Sequence, residues 1–176
     1  LLTIAAVDAI KKAKVIVFPI SDDNKKSFAA EIVKKYTKFK NKIPIIFPMA
    51  REGFDPDEIW SNAVEKIVKF IQNGESVVLL CLGDTSLFAS SSNILRIIKN
   101  NYPEIITKTI PGISSLSAAA ALNDFDLVKK GETLIIKECP SSNSELTSII
   151  RESRGNKTVL AIMKVGKRWN LVREIL

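Results

Sequence analysis

Three apolar runs mark the first half of the chain: VIVFPI at 15 to 20, IPIIFP at 43 to 48 and SVVLLCL at 76 to 82. They do not alternate with polar residues. Such a run suits a strand covered on both faces, because side chains pointing in either direction must then be apolar. Between the runs the period changes. Apolar residues recur at helical spacing in 3 to 12, 27 to 36 and 56 to 72, with Thr3 placed as a cap before the first. Strand and helix alternate three times, which predicts a parallel sheet built from right-handed crossovers. Ligands of such sheets sit outside the carboxyl ends of the strands.

SVVLLCL runs into CLGDTSLFASSSN, residues 81 to 93, and a helical pattern resumes in SSNILRIIKNNY. A second junction follows in TKTIPGISSLSAAAALNDF, where a Pro-Gly turn precedes a helix of very small side chains at 115 to 122. Small side chains let a neighbouring backbone or a ligand come close. Two further strands are expected at 133 to 138 and 157 to 165, with a helix between them at 144 to 153. This half is too short to close a large sheet. A boundary at Ile110 and Pro111 gives an α/β lobe over 1–110 and a second, incomplete α/β lobe over 111–176.

Composition narrows the chemistry. With 46% apolar and 26% charged residues among 176, the chain has the makeup of a soluble folded protein. No stretch reaches the roughly 18 apolar residues of a membrane span, and the beginning lacks the basic start of a signal peptide. Cys81 and Cys139 lie far apart, with neither metal-ligand spacing nor a disulfide framework. The cytoplasm is the expected location, with no membrane partner. Leu1 in place of a methionine, and the periodic NLVREIL running to the last residue, point to truncation at both ends.

The formal net charge is +7, spread over lysines such as Lys11, Lys12, Lys25, Lys26, Lys34 and Lys35. Solvated helix faces account for this, and so does attraction of an anionic ligand. Aromatics are too sparse beside these lysines to support a single-strand stacking platform; no nucleic-acid partner is expected, and a basic α/β nucleic-acid binder, marked by strongly salt-dependent binding, stands as an alternative. The chain contains no histidine. Its chemistry must run without the usual neutral-pH base and the commonest metal ligand, and no metal site is expected.

PGISS at 111 to 115 begins like a nucleophile elbow centred on Ser114, but position 116 is leucine and no histidine can activate the serine. Neither the dinucleotide fingerprint nor the phosphate loop occurs. In Gly83-Asp84-Thr85-Ser86, main-chain N–H groups and a carboxylate suit an anion or a ribose, and the same residues suit a plain turn. Met163 and Lys164 suit a cleft wall, or ordinary core and a solvated strand end.

Taken in order, LLTIAAVDAIKKAKVIVFPIS, SFAAEIV, IIFPM, GDTSLFASSSNIL, IPGISSLSAAAALNDFDLVKKGE and VLAIMKVGK resemble the tetrapyrrole methylases. Within that family they are most similar to the precorrin-2 or cobalt-factor-II C20-methyltransferases of cobalamin biosynthesis. The resemblance spans nearly the whole chain. It implies a two-lobed α/β fold with a parallel sheet in the N-terminal lobe and a mixed sheet in the C-terminal lobe. It also implies S-adenosyl-L-methionine in the cleft between lobes, S-adenosyl-L-homocysteine as product, and a homodimer. The implied cofactor contacts are Leu82, Gly83, Asp84, Leu87, Ser114, Ser115 and Met163.

The implied partner is an anionic tetrapyrrole, precorrin-2 or cobalt-factor II, methylated at C20. Asp84 is a candidate for the base that then removes a proton, and the catalytic residues are otherwise unassigned. A sister methylase acting elsewhere on a tetrapyrrole or on the diphthamide precursor, and a non-catalytic binding module, stand as alternatives. The chain departs from the family at several points. It lacks the segment G-x-G-P-G-D-P that normally precedes LLT, and the strands that usually complete the second lobe. Thr85 replaces a common proline, and Phe88 a tyrosine frequent in the C20 subgroup.

Overall fold

A computed structural model describes residues 1–21, 26–38, 40–47, 56–154 and 157–176. Lys25, and Pro48 and Met49 of IIFPM, lie outside the described residues. The chain divides into two compact units, Leu1–Ile113 and Ser114–Leu176.

The first unit contains α1 (Ile4–Lys12), β1 (Val15–Ile20), α2 (Phe28–Val33), β2 (Asn41–Ile46), α3 (Pro56–Gln72), β3 (Val77–Leu79) and α4 (Ser91–Asn101). A single 3-10 turn, Lys34–Tyr36, extends α2. The strands lie in the order β2-β1-β3, and both pairings are parallel. The position of β1 explains its composition. Val15 and Val17 face a cluster with Val64 and Ile67 of α3 and Ile94 of α4, while Ile16 faces Ile10 of α1 and Val33 of α2. Adjacent side chains of a strand point to opposite faces, so a strand between two helix layers carries apolar residues at every position.

Helix starts follow from local chemistry. Thr3 Oγ1 accepts the Ala6 N–H at 3.2 Å and Ser27 Oγ that of Ala30 at 3.4 Å, each satisfying a donor with no partner inside the helix. The third strand is shorter than SVVLLCL. Its ladder to β1 covers Val77–Leu79, and the Leu80 N–H adds one more bond to the Val17 carbonyl at 2.8 Å. No strand pairs with its other edge among the described residues.

The second unit contains α5 (Ser115–Leu122), β4 (Thr133–Glu138), α6 (Asn143–Ser153), β5 (Thr158–Met163) and α7 (Trp169–Ile175). Leu146 and Ile150 of α6 and Val172 of α7 form its core with Leu160 and Ile162. Ser142 Oγ accepts the Glu145 N–H at 3.4 Å, the first half of a capping box. Of the mixed sheet expected here, the described residues hold one pair: β4 and β5 run parallel, from Thr133 opposite Thr158 to Glu138 opposite Met163. The helix between them is the cause, since a crossover returns the chain in the same direction whereas a hairpin reverses it. Among the described residues no helix is long and apolar enough to cross a membrane.

Ile94 has no exposed surface, so Ile94→Ala lowers unfolding stability by about 3 kcal/mol, the lost transfer energy plus an unfilled cavity. Ile4 is 82% exposed, and Ile4→Ala changes it by less than about 0.5 kcal/mol. Urea midpoints of the two variants provide the comparison.

Candidate functional site

Beyond β3 the chain runs without helix or strand from Leu80 to Ser90 and enters α4 at Ser91. Gly83 makes the turn with φ of +82°, a conformation that L side chains rarely adopt. Asp84 then folds back on its own chain. Its Oδ1 accepts the Ser86 N–H at 2.8 Å and the Ser86 hydroxyl at 2.7 Å, the local geometry of an Asx turn. These bonds, the backbone one first, hold the Asp84 carboxyl below its ordinary pKa. They also fix its direction while occupying only Oδ1. Oδ2 retains its accepting capacity for an outside donor.

A second segment closes on this loop. A Cβ added to Gly112 would overlap the Gly83 carbonyl oxygen and stand 2.9 Å from the Gly83 carbonyl carbon. Only glycine lets the two main chains meet so closely. The Thr85 hydroxyl adds a tie, donating to the Ile110 carbonyl at 3.2 Å. Proline has no group that could make this bond, so the departure at Thr85 has a structural use. Gly83, Thr85 and Gly112 all line a cavity of ≈260 Å³ that runs along β3.

Cys81 lines the same cavity. Burial raises its thiol pKa; the nearby Ser91 hydroxyl opposes the rise, and the Asp84 charge adds to it. A protonated thiol is a poor nucleophile, which removes Cys81 as a covalent catalyst at neutral pH.

The residues expected to bind a cofactor fall on three elements. Leu82, 59% exposed, lies with Gly83, Asp84 and half-buried Leu87 on the loop after β3. Ser114 caps α5, its Oγ accepting the Leu116 N–H at 3.4 Å, and exposed Ser115 opens that helix. Met163 ends β5, where its carbonyl accepts the Cys139 N–H at 2.8 Å. Phe88 and Lys164 directly follow Leu87 and Met163 and hold φ of 50° and 55°. For non-glycine residues this costs roughly 1 to 3 kcal/mol, the kind of local strain that collects at functional sites. The exposed Lys164–Glu138 ion pair, at 3.7 Å, contributes little to offset it.

Residue chemistry alone did not single out Gly112, and it placed Thr85 in the Gly83-Asp84-Thr85-Ser86 stretch without its tie to Ile110. The available signal was the Pro-Gly pair in the turn, since glycine beside proline marks a tight path, but its partner segment is distant in sequence.

A family model described as Tetrapyrrole (Corrin/Porphyrin) Methylases matches residues 1–176. The chain belongs to the tetrapyrrole methylases. It is 36% identical over 136 residues to the "Probable cobalt-precorrin-2 C(20)-methyltransferase" of Methanocaldococcus jannaschii, a match covering 77% of this chain and 57% of that relative. It is 23% identical over 177 residues to the Cobalt-precorrin-2 C(20)-methyltransferase of Salmonella typhimurium, covering all of this chain and 72% of that relative. Thus the chain spans little more than half the first relative and under three quarters of the second. Among solved structures, the cobalamin biosynthetic enzyme cobalt precorrin-4 methyltransferase superposes with a TM-score of 0.70 at 16% identity, over 98% of this chain and 66% of that one. At that identity the likeness shows the methylase fold.

Two outcomes follow from the loop geometry of this methylase chain. Gly112→Ala forces the Gly83 and Gly112 segments apart and lowers the thermal midpoint by about 5 °C or more. By contrast, Gly74→Ala meets open space and faces only the strain of its φ of +75°, roughly 1 to 2 kcal/mol. For Asp84, a depressed folded-state pKa means that its stabilisation is present above the unfolded value and is lost as pH falls through the folded one. Ser86→Ala removes the hydroxyl bond, keeps the backbone bond, and moves the Asp84 titration midpoint upward, as read by carboxyl-carbon NMR.

Proposed function

We propose that this chain forms the S-adenosylmethionine-binding part of a methyltransferase that methylates C20 of precorrin-2, in its cobalt-bearing form, during cobalamin biosynthesis. The observation that carries this reading is the directed carboxylate of Asp84 on the loop locked by Gly112, at the carboxyl end of a parallel strand, in a chain that is a tetrapyrrole methylase throughout. Support for the substrate comes from the names of the two relatives, "Probable cobalt-precorrin-2 C(20)-methyltransferase" and "Cobalt-precorrin-2 C(20)-methyltransferase". The net charge of +7 suits a polycarboxylate partner. We place the reaction in the cytoplasm and read the working form as a homodimer, as the family resemblance implies.

The residues present fit the cofactor. Asp84 Oδ2 is open to hydroxyl or amino donors, exposed Leu82 and half-buried Leu87 offer apolar contact, and Ser114, Ser115 and Met163 complete the set carried by the resemblance. When bound, S-adenosylmethionine supplies a methyl group on a sulfonium, open to in-line attack by an electron-rich meso carbon. This chain's residues need only hold, orient and exclude water. No activated side-chain nucleophile is required, in keeping with the absence of histidine. Because its carboxyl pKa is depressed, Asp84 is a weak base and a good hydrogen-bond acceptor. Its principal role is to hold the cofactor, with removal of the meso proton a secondary one.

Titration with S-adenosylhomocysteine tests the cofactor role. Asp84→Asn is expected to weaken binding about 10- to 100-fold, the loss of one charge-assisted hydrogen bond, without changing circular dichroism. With the full-length protein, methyl transfer is expected with cobalt-precorrin-2 in preference to later tetrapyrroles and the diphthamide precursor, and kcat/KM falls as salt rises. Turnover confined to another substrate, or binding without turnover, overturns the assignment.

A further inference from the structure

The two faces of the edge strand β2 are covered differently. Ile43 and Ile45 turn to the face that α3 and α4 seal, and Ile45 is only 5% exposed. Their neighbours point the other way. There Lys42, Pro44 and Ile46 are all exposed, because α2 packs over β1: among the described residues, the cluster on that face joins Ile16 to Ala29 and Val33 and takes nothing from β2. Strands of a parallel sheet are normally covered on both faces.

This strip forms part of the floor of a cavity of ≈370 Å³ roofed by α2 and the turn behind it. The floor follows the strand register, with Ile16 beside Lys42, then Phe18 beside Pro44, then Ile20. Ala30, Val33 and Thr37 form the roof. From Ile16 to Ile20 the slot runs about 13 Å, at about 3.3 Å per residue, and its volume lies in the range of small-ligand pockets. The hydroxyls in its walls are already engaged: Ser27 Oγ accepts the Ala30 N–H at 3.4 Å, and the Thr37 hydroxyl donates to the Lys34 carbonyl at 3.3 Å. The middle of the slot is left with apolar contact to offer.

Charge collects at the rim. Exposed Lys26, Lys34 and Lys42 line the slot against one acid, Glu31, which pairs with Lys34 at 3.5 Å. Among the described residues Lys26 and Lys42 make no ion pair. The bias is regional, since residues 1–47 hold ten lysines against four acids, a net +6 of the total +7. Helix α2 runs back against the strands, as a crossover must, so its last residue meets the strand starts. Lys34 and Lys42 therefore share one end of the slot, and Lys26 lies at the other with Ile20.

The strand itself argues against a peptide as occupant. The Phe47 N–H bonds to the Ile20 carbonyl at 2.8 Å, so odd-numbered residues of β2 turn their main chain toward β1, and even-numbered ones turn theirs to the open edge. The middle one is Pro44, which has no N–H to donate, so a strand added at this edge loses its central bond. We propose that the slot binds a small anionic amphiphile, a carboxylate on an extended apolar body, with its head between Lys34 and Lys42 and its body along Ile16, Phe18 and Ile20 beneath α2. Strand β1 lies between this slot and β3, so the site is additional to the Gly83 loop.

Octanoate is the probe, with 1-octanol as its uncharged match and octylamine as its cationic one. Titrated into the full-length protein and followed by methyl NMR, octanoate is expected to shift the Ile16 and Val33 methyls with a Kd on the order of 1 mM or tighter. It binds at least about fivefold more tightly than either match. Lys34→Gln combined with Lys42→Gln weakens octanoate by at least about fivefold and leaves 1-octanol unchanged, which separates a lost charge from a disturbed fold. Ala30→Leu fills the slot and removes the shifts for both ligands while the amide spectrum stays dispersed. Shifts confined to Leu80 and Ile98, which line the other cavity, overturn the proposal. So do equal affinities for octanoate and octylamine, and octanoate binding that survives Ala30→Leu or the paired lysine substitutions unchanged.

Discussion

The first unit depends on one constraint: β1 must be sealed from water on both faces. Val15, Ile16 and Val17 are at most 1% exposed, and that can be met only with a helix layer on each side. Once helices lie on both faces, each strand is reached by a crossover, and the crossovers make the sheet parallel. A parallel sheet collects its strand ends along one edge. The Gly83-Asp84 loop therefore lies where it does because VIVFPI has no polar face.

A loop at a strand end is not yet a site; it must also be held still. Two devices do this at different ranges. Within the loop, the Asx turn uses Asp84 Oδ1 to fix the carboxylate. Across the unit, Gly112 brings a second main chain against Gly83, and Thr85 ties to Ile110. Neither device involves an ion pair, so neither is weakened by salt. A rigid loop loses less entropy when a ligand orders it, which favours tight binding.

Much of the fold was legible in the sequence because its signals are local. The period of 3 to 12, the unbroken VIVFPI and the Thr3 cap each act over a few residues, and α1 and β1 formed accordingly. The parallel sheet followed from alternation. Less was legible where two distant segments meet. The role of Gly112 depends on Gly83, and that of Thr85 on Ile110, and a single sequence carries no record of such pairings. The mixed sheet expected in the second unit came from resemblance, whereas the parallel pairing of β4 with β5 follows from the helix between them. The short extent of β3 was not legible, because strand length depends on partners as well as composition.

The distribution of unusual backbone bears on how the chain could act without an imidazole. Gly83, Phe88 and Lys164 hold positive φ next to residues expected to touch the cofactor, while Gly74, Asp124, Gly131, Lys157 and Gly166 hold it elsewhere. Asp84 itself is held ionised by hydrogen bonds that make it a poorer base. A site designed for proton transfer would tune a side-chain pKa toward neutrality, and here the shift runs the other way. Strain and hydrogen bonding have gone into where groups point, while the basicity of the Asp84 carboxylate has been reduced. That arrangement suits the proposed methyl transfer, since the barrier of a displacement yields to orientation of the reacting atoms more than to an activated nucleophile.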